Sequence, residues 1–228
     1  MMQKSWFGVR MSDLSETVVV FDLDDTLYPE DAYVRSGIVA ACRQAARLYG
    51  TDHAAELLAL RDSGQRDWLT ALCALLPDGP SVRDCLLWTY RLHEPRIALS
   101  DEARLAVEVV IARAKAVAIL TDGRSITQRL KLRALGLGDL PAYISDEYGG
   151  ADKPDPTRFQ AVVRDHPAAR YVYVADNPAK DFVTPKALGW RTIGVRAGAA
   201  AIHPCEGATP ATHAPDDWIA SIENVLDI

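Results

Sequence analysis

No apolar run in this 228-residue chain approaches the roughly 20 residues that a membrane-spanning helix needs, so a membrane partner is not expected. The opening Met1-Met2-Gln3-Lys4-Ser5-Trp6 has no long apolar region behind it and does not read as a secretion signal. Cysteine is scarce: Cys42, Cys73, Cys85 and Cys205 stand at no zinc-like spacing, and three of them fall inside apolar helical patterns. Buried, reduced thiols in a cytoplasmic protein are the expectation. Basic residues are outnumbered, 25 Lys and Arg against 31 Asp and Glu, and the net charge of −6 argues against non-specific binding of nucleic acid. Internal repeats are also missing. One compositionally biased stretch, rich in Ala, Pro and Gly, covers residues 197–215; it reads as a loop before a final short helix at 216–226.

What the chain does have is a set of buried-strand patterns that end in polar groups. With 49% hydrophobic residues it can build one substantial core, or a core and a smaller lobe. Val18-Val19-Val20-Phe21 is a continuous apolar run of the kind buried on both faces of a parallel sheet. It runs straight into Asp22-Leu23-Asp24-Asp25-Thr26. Carboxylates at the end of such a strand suggest a site, because open α/β sheets bind ligands beyond the carboxyl ends of their strands. Side chains two apart on an extended segment project to the same side, so Asp22 and Asp24 are expected to share one small space. Their repulsion would then call for a cation or a shared proton.

The pattern returns downstream. Residues 116–120 end in Thr121-Asp122-Gly123-Arg124, and residues 171–175 end in Asp176-Asn177-Pro178. A weaker run, Ala142-Tyr143-Ile144, leads through a glycine-rich loop to Lys153-Pro154. Helix starts follow: Ser125 with Gln128 has the form of a capping box, and Asp155-Pro156 and Asn177-Pro178 place a capping side chain before a proline. Gly136 and Gly189 suit helix ends. Alternating strands and helices predict an α/β fold, a Rossmann-like three-layer parallel sheet with right-handed crossovers. Asp22, Asp24, Thr121, Lys153 and Asp176 would then meet at one edge of the sheet.

Four motifs in this order resemble the haloacid dehalogenase superfamily. They are Asp22-Leu23-Asp24-Asp25-Thr26; Thr121 in Leu120-Thr121-Asp122-Gly123; Lys153 in Lys153-Pro154-Asp155-Pro156; and Asp176 with Asp181 in Ala175-Asp176-Asn177-Pro178-Ala179-Lys180-Asp181. The pattern departs at Ala175, where the superfamily usually has glycine. The resemblance implies that Asp22 is a nucleophile forming an aspartyl-phosphate and that Asp24 is the general acid and base. It implies that Thr121 and Lys153 hold phosphoryl oxygens, with further donors from the main-chain amides of Leu23 and Asp24 or of Asp122, that Thr26, Asp122 and Gly123 belong to the phosphate site, and that Thr26 also fixes the turn and helps orient Asp24. Mg²⁺ would be held by Asp22, the main-chain carbonyl of Asp24 and Asp176; Asp181 is either a further metal ligand or a first-turn acid at a helix start.

Residues 30–98 interrupt the alternation. Helical spacing covers 31–49, ending at Gly50, then 53–60, 68–76 and 82–93, the last with Ser81 and Asp84 as a capping box. The resemblance makes this an all-helical cap inserted after the first strand, with residues 13–29 and 99–228 forming the catalytic core. Among its aromatic residues, Trp68 and Trp88 read as core and His93, near a helix end, as a surface histidine; none is assigned to the site. Asp24 argues against dehalogenation, whose members lack this second aspartate. The absence of lysine from 30–98 argues against phosphonate cleavage through an imine. The implied function is Mg²⁺-dependent hydrolysis of a small phosphorylated metabolite, a sugar phosphate or nucleotide. A phosphomutase and a non-catalytic binding protein are the alternatives.

Overall fold

The computed structural model describes residues 14–196 and 210–227. Its centre is β1 (Thr17–Phe21), with all five residues buried. Around it lie β2 (Ala116–Thr121), β3 (Ala142–Ile144), β4 (Arg170–Ala175), β5 (Arg191–Val195) and β6 (Asp217–Ile219). The sheet order is β3-β2-β1-β4-β5-β6, and every pairing is parallel. The chain winds outward from β1 through β2 to β3, then returns to the other side of β1 for β4 to β6. The order reverses beside β1, which is where α/β sheets open a crevice for ligands.

The helices between strands are α5 (Asp101–Arg113), α6 (Ser125–Ala134), α7 (Thr157–Asp165) and the short α8 (Val183–Ala187). Alternation along the strands sorts the core into two layers. Val19 and Phe21 join Ile119 and Val174, together with Ala103, Val107 and Val110 of α5 and Leu132 of α6. Val18 and Val20 join Leu120 and Tyr173, together with Phe159 and Val162 of α7 and Trp190. This is the three-layer α/β arrangement expected from the sequence.

Between β1 and α5 the chain forms α1 (Glu30–Tyr49), α2 (Ala54–Asp62), α3 (Trp68–Leu75) and α4 (Gly79–Leu92). These helices have an apolar cluster of their own, including Ile38, Cys42, Leu57, Leu72 and Leu86. Gly37 lets α1 and α4 approach: a Cβ there would meet the Tyr90 ring at 2.3 Å.

Several local expectations are corrected. The segment expected as a helix at 216–226 is β6 followed by a 3-10 turn, Ile222–Asp227. Asp216 holds that strand in place, its Oδ2 accepting from Thr192 N at 2.8 Å and Thr192 Oγ1 at 2.9 Å. Of the loop expected at 197–215, residues 197–209, with Cys205, lie outside the described residues. Helix α4 starts at Gly79, ahead of the Ser81–Asp84 box, with Pro80 in its first turn. Trp88 and Cys85 are exposed rather than buried. His93 is buried rather than superficial: Nδ1 lies 2.6 Å from Tyr90 O and Nε2 3.1 Å from Ser36 Oγ. Burial, against the Tyr90 carbonyl bond, lowers its pKa.

Candidate active site

The end of β1 gives each of its aspartates a separate set of partners. Asp22 still belongs to the ladder, its N–H donating to Val174 O at 2.9 Å. The chain then turns, with Leu27 N–H donating to Leu23 O at 3.0 Å and Asp25 in the left-handed region at φ 54°. Asp25 Oδ1 closes the turn by accepting from Glu30 N–H, 2.8 Å, at the start of α1. Each of the two carboxylates has its own partners: Lys153 for Asp22, and Lys131, Gln128 and Tyr28 for Asp24.

Asp22 lies with Asp176 and Asp181. One carboxylate oxygen from each falls within 4.8 Å of the others, and all three residues are buried. Lys153 Nζ stands 3.0 Å from Asp22 Oδ1, 2.8 Å from Asp181 Oδ1 and 3.1 Å from Tyr173 OH. One cation against three carboxylates leaves excess negative charge. Burial, reinforced by Asp181 and opposed by Lys153 and Lys180, pushes Asp22 up to about 6. Burial, with Asp22 and Asp181 close by, pushes Asp176 up to about 8. Burial alone would lower Lys153, but Asp181 and Asp22 hold it well above the usual lysine range. Asp181 Oδ1 is buried and, although beside Lys153, receives no aligned hydrogen bond. Three hard oxygen donors, excess negative charge and a buried carboxylate oxygen without a hydrogen bond are features a divalent cation such as Mg²⁺ satisfies. Asp181 therefore faces the cluster, although its Oδ2 also accepts from Asn177 N–H at 2.9 Å, closing the Asn177–Asp181 turn. Thr26 Oγ1 donates to Asp176 Oδ1 at 3.3 Å, so it steadies Asp176 and not Asp24 as the sequence suggested.

Asp24 turns instead toward α6. Lys131 Nζ lies 2.8 Å from both of its oxygens, Gln128 Nε2 lies 2.9 Å from Oδ2, and Tyr28 OH reaches Oδ1 at 2.5 Å. Burial would raise Asp24, but the Lys131 charge and these donors lower it below the usual aspartate value. Gln128 also donates to Thr121 Oγ1 at 2.7 Å and Asp122 O at 3.0 Å. It is thus not the capping residue its spacing from Ser125 implied. Ser125 is engaged elsewhere, its N–H donating to Asp146 Oδ2 at 3.0 Å and its hydroxyl to Glu147 Oε1.

The loop after β2 rests on a buried arginine. Arg158 of α7 is fully buried; its guanidinium donates to Thr121 O at 2.8 Å and Tyr143 O at 3.3 Å, and pairs with Asp122 Oδ1 at 2.5 Å. Asp122 Oδ2 takes Lys180 Nζ at 2.6 Å, and Asp122 Oδ1 also accepts from Lys153 N–H at 3.1 Å. Burial would raise Asp122, but Lys153, Lys180 and Arg158 hold it down to about 2. Gly123, at φ 124°, donates its N–H to Ser145 Oγ at 2.9 Å. The Asp122 carboxylate and the Gly123 amide therefore brace the loop.

Residues 17–189 match the haloacid dehalogenase-like hydrolases. The chain belongs to this family. The ribulose-1,5-bisphosphate 5-phosphatase of Halopiger xanaduensis is 28% identical over 201 residues, covering 78% of this chain and 83% of that protein. Among solved structures, the 2-haloacid dehalogenase of Pseudomonas syringae pv. Tomato superposes with a TM-score of 0.62 at 19% identity, over 92% of this chain and 96% of that one. Bacillus subtilis YfnB, solved with magnesium bound, gives 0.60 at 20% identity, over 93% and 99%. These two likenesses concern the fold.

Within this haloacid dehalogenase-like hydrolase, the sequence led to no site role for Tyr28, Glu30, Gln128, Lys131, Arg158 or Lys180. Glu30 is pushed up to about 7, by burial first and then by Asp24, with Lys131 opposing. One signal was available for the pair on α6. Gln128 and Lys131 are three apart, hence on one helix face, and that helix begins directly after the Thr121 motif. Among the described residues no helix is long and apolar enough to cross a membrane.

Proposed function

We propose that the protein is a Mg²⁺-dependent phosphomonoester hydrolase acting on a small phosphorylated metabolite through an aspartyl-phosphate on Asp22. The observation that carries this reading is the buried group of Asp22, Asp176 and Asp181 around Lys153, with Asp24 two residues further on and held by Lys131. Asp22, Asp176 and Asp181 would hold the metal, along with the Asp24 main-chain carbonyl. The bound ion would neutralise phosphoryl charge and let an anionic nucleophile approach an anionic ester. Lys153 orients the Asp22 carboxylate and lends positive charge to a phosphoryl oxygen, and Thr121 offers its hydroxyl to another.

An Asp22 oxygen attacks phosphorus, and the bond from phosphorus to the ester oxygen breaks. Asp24, held toward its ionised form by Lys131 in the free protein, would take up a proton as the anionic substrate binds and give it to the departing alkoxide. Water then attacks the phosphorus of the aspartyl-phosphate while Asp24 takes the water proton. Inorganic phosphate leaves and the Asp22 carboxylate is restored. Residues 30–98 would act as a cap over residues 13–29 and 99–228, excluding bulk water and selecting the ester. The bisphosphate named for the Halopiger relative favours phosphorylated sugars as the first class to try.

The test is a panel of sugar phosphates, nucleoside monophosphates and an aryl phosphate, read for phosphate release with Mg²⁺. Rapid-quench mass analysis of the peptide containing Asp22 accompanies it. Phosphate release with a transient 80-dalton addition on Asp22 is expected. Absence of both across the panel refutes the reading.

A further inference from the structure

The mechanism above assigns no task to Lys131, and yet this lysine is one of the most constrained side chains in the molecule. It is 3% exposed, bridges both oxygens of Asp24 at 2.8 Å, and sets its ammonium 4.3 Å from the centre of the Tyr33 ring. Tyr33 belongs to α1 of the helical insertion, while Lys131 belongs to α6 of the sheet core. Tyr33 is fixed in turn by its edge-on contact with Tyr90 at 5.4 Å and by its hydroxyl, which donates to Tyr90 O at 3.3 Å. Next to it, Thr127 Oγ1 of α6 donates to Arg91 O of α4 at 3.4 Å. Helix α6 therefore touches both the insertion and Asp24, through residues four apart on one face.

We propose that Lys131 is a positioning residue that sets the plane of the Asp24 carboxylate for proton transfer, and that the Tyr33 ring carries the position of the insertion to it. This rests on the reading of Asp24 as general acid and base.

The geometry gives the reason. A carboxylate pinned at one oxygen still rotates about its Cβ–Cγ bond. A single cation bridging both oxygens removes that rotation. Gln128 and Tyr28 each touch one oxygen, so either contact can give way to a leaving oxygen or a water without freeing the carboxylate. Lys131 is the one contact among these three that both oxygens share. An ammonium over an aromatic face is attracted to it by the ring's quadrupole. A shift of α1 would then pass through Tyr33 to Lys131 and change where Asp24 points. Buried lysines are rare unless paired, and this pairing joins the two parts of the structure that must meet around a substrate.

The test compares Lys131→Met with the wild type on an alkyl phosphate and on 4-nitrophenyl phosphate, whose phenolate leaves with little need of a proton. Single-turnover formation of the aspartyl-phosphate on Asp22 is the step followed. The expected result is a fall of about 100-fold for the alkyl ester and less than about tenfold for the aryl ester. KM for both should stay within about threefold. Lys131→Arg keeps the cation and should restore part of the alkyl rate. Equal losses on the two esters, or no loss on either, overturn the proposal while leaving the hydrolase reading intact. A wild type that releases no phosphate from any ester overturns both. If Lys131→Met does not fold, as read by its circular dichroism, Tyr33→Leu tests the same link from the insertion side. That variant should show the same preferential alkyl loss, and an alkyl-to-aryl ratio equal to wild type overturns the proposal.

Discussion

Lys153 Nζ stands 3.0 Å from Asp22 Oδ1, and the side chains are 1% and 8% exposed. The same ammonium reaches Asp181 at 2.8 Å, so one lysine compensates two buried carboxylates. Removing it leaves both without a cation. Breaking a buried pair in this way costs about 3–5 kcal/mol, because the surviving charge is stranded.

Lys153→Met is therefore expected to lower both activity and stability. Turnover should fall by about 1000-fold or more, since nucleophile and phosphoryl oxygen lose the same cation. Added Mg²⁺ should recover part of the stability, by binding the stranded carboxylates. Urea unfolding with and without Mg²⁺ measures this. A variant as stable as wild type in chelator would contradict the pairing.

Asp22→Asn keeps the shape and removes the attacking charge. Turnover should vanish, and no phosphate should appear on residue 22. The metal-free variant should also be at least as stable as wild type, because one of three crowded carboxylates is neutralised. Turnover within about tenfold of wild type would remove Asp22 as the nucleophile.

The carboxylate trio also sets a pH dependence. Asp176 rises from 3.8 to about 8 and Asp22 from 3.8 to about 6 in the folded, metal-free protein. Between the unfolded and folded values the folded state binds more protons than the unfolded one. By linkage its stability then falls as pH rises. The contribution is fully present below about pH 4 and is lost by about pH 8. In chelator, the melting temperature should drop as pH is raised from 5 to 8. With Mg²⁺ the drop should shrink, and binding near pH 7 should release protons. A chelated protein whose melting temperature rises over this range would contradict the crowding. Activity should disappear in chelator and return with Mg²⁺. Ca²⁺ should bind with little turnover, because its larger and looser coordination sphere suits in-line geometry poorly.

The sequence was most legible where one strong constraint acted on adjacent residues. Val18 to Phe21 is buried on both faces, so its apolar run marks β1 without tertiary information. The carboxylates after it stand out for the same reason. Helices α1 and α3 were readable because each packs one regular face into its own small core. β6 was not, since Asp217-Trp218-Ile219 is too short for periodicity and is fixed by Asp216 reaching back to Thr192. Gln128 was misread because spacing from Ser125 is a local signal, whereas its partner Asp24 lies over a hundred positions away. Lys131 and Arg158 look like surface charges in a sequence; only the return of α6 and α7 to the sheet edge buries them.

Arg158 provides a test of how the site is supported from below. Its guanidinium satisfies the carbonyls of Ala151, Thr121 and Tyr143 and the Asp122 carboxylate, from a position with no solvent exposure. Arg158→Met fills similar space but strands those acceptors, at a cost of about 3 kcal/mol or more. Asp122 keeps Lys180, so the loop should loosen rather than unfold. The loosened segment carries Thr121, which Gln128 links to Asp24. A variant that still folds should therefore lose activity beyond what its stability explains. Urea denaturation paired with turnover at low temperature, where the variant is fully folded, separates the two effects. Wild-type turnover in a destabilised variant would show that Arg158 supports the fold without setting the position of Thr121.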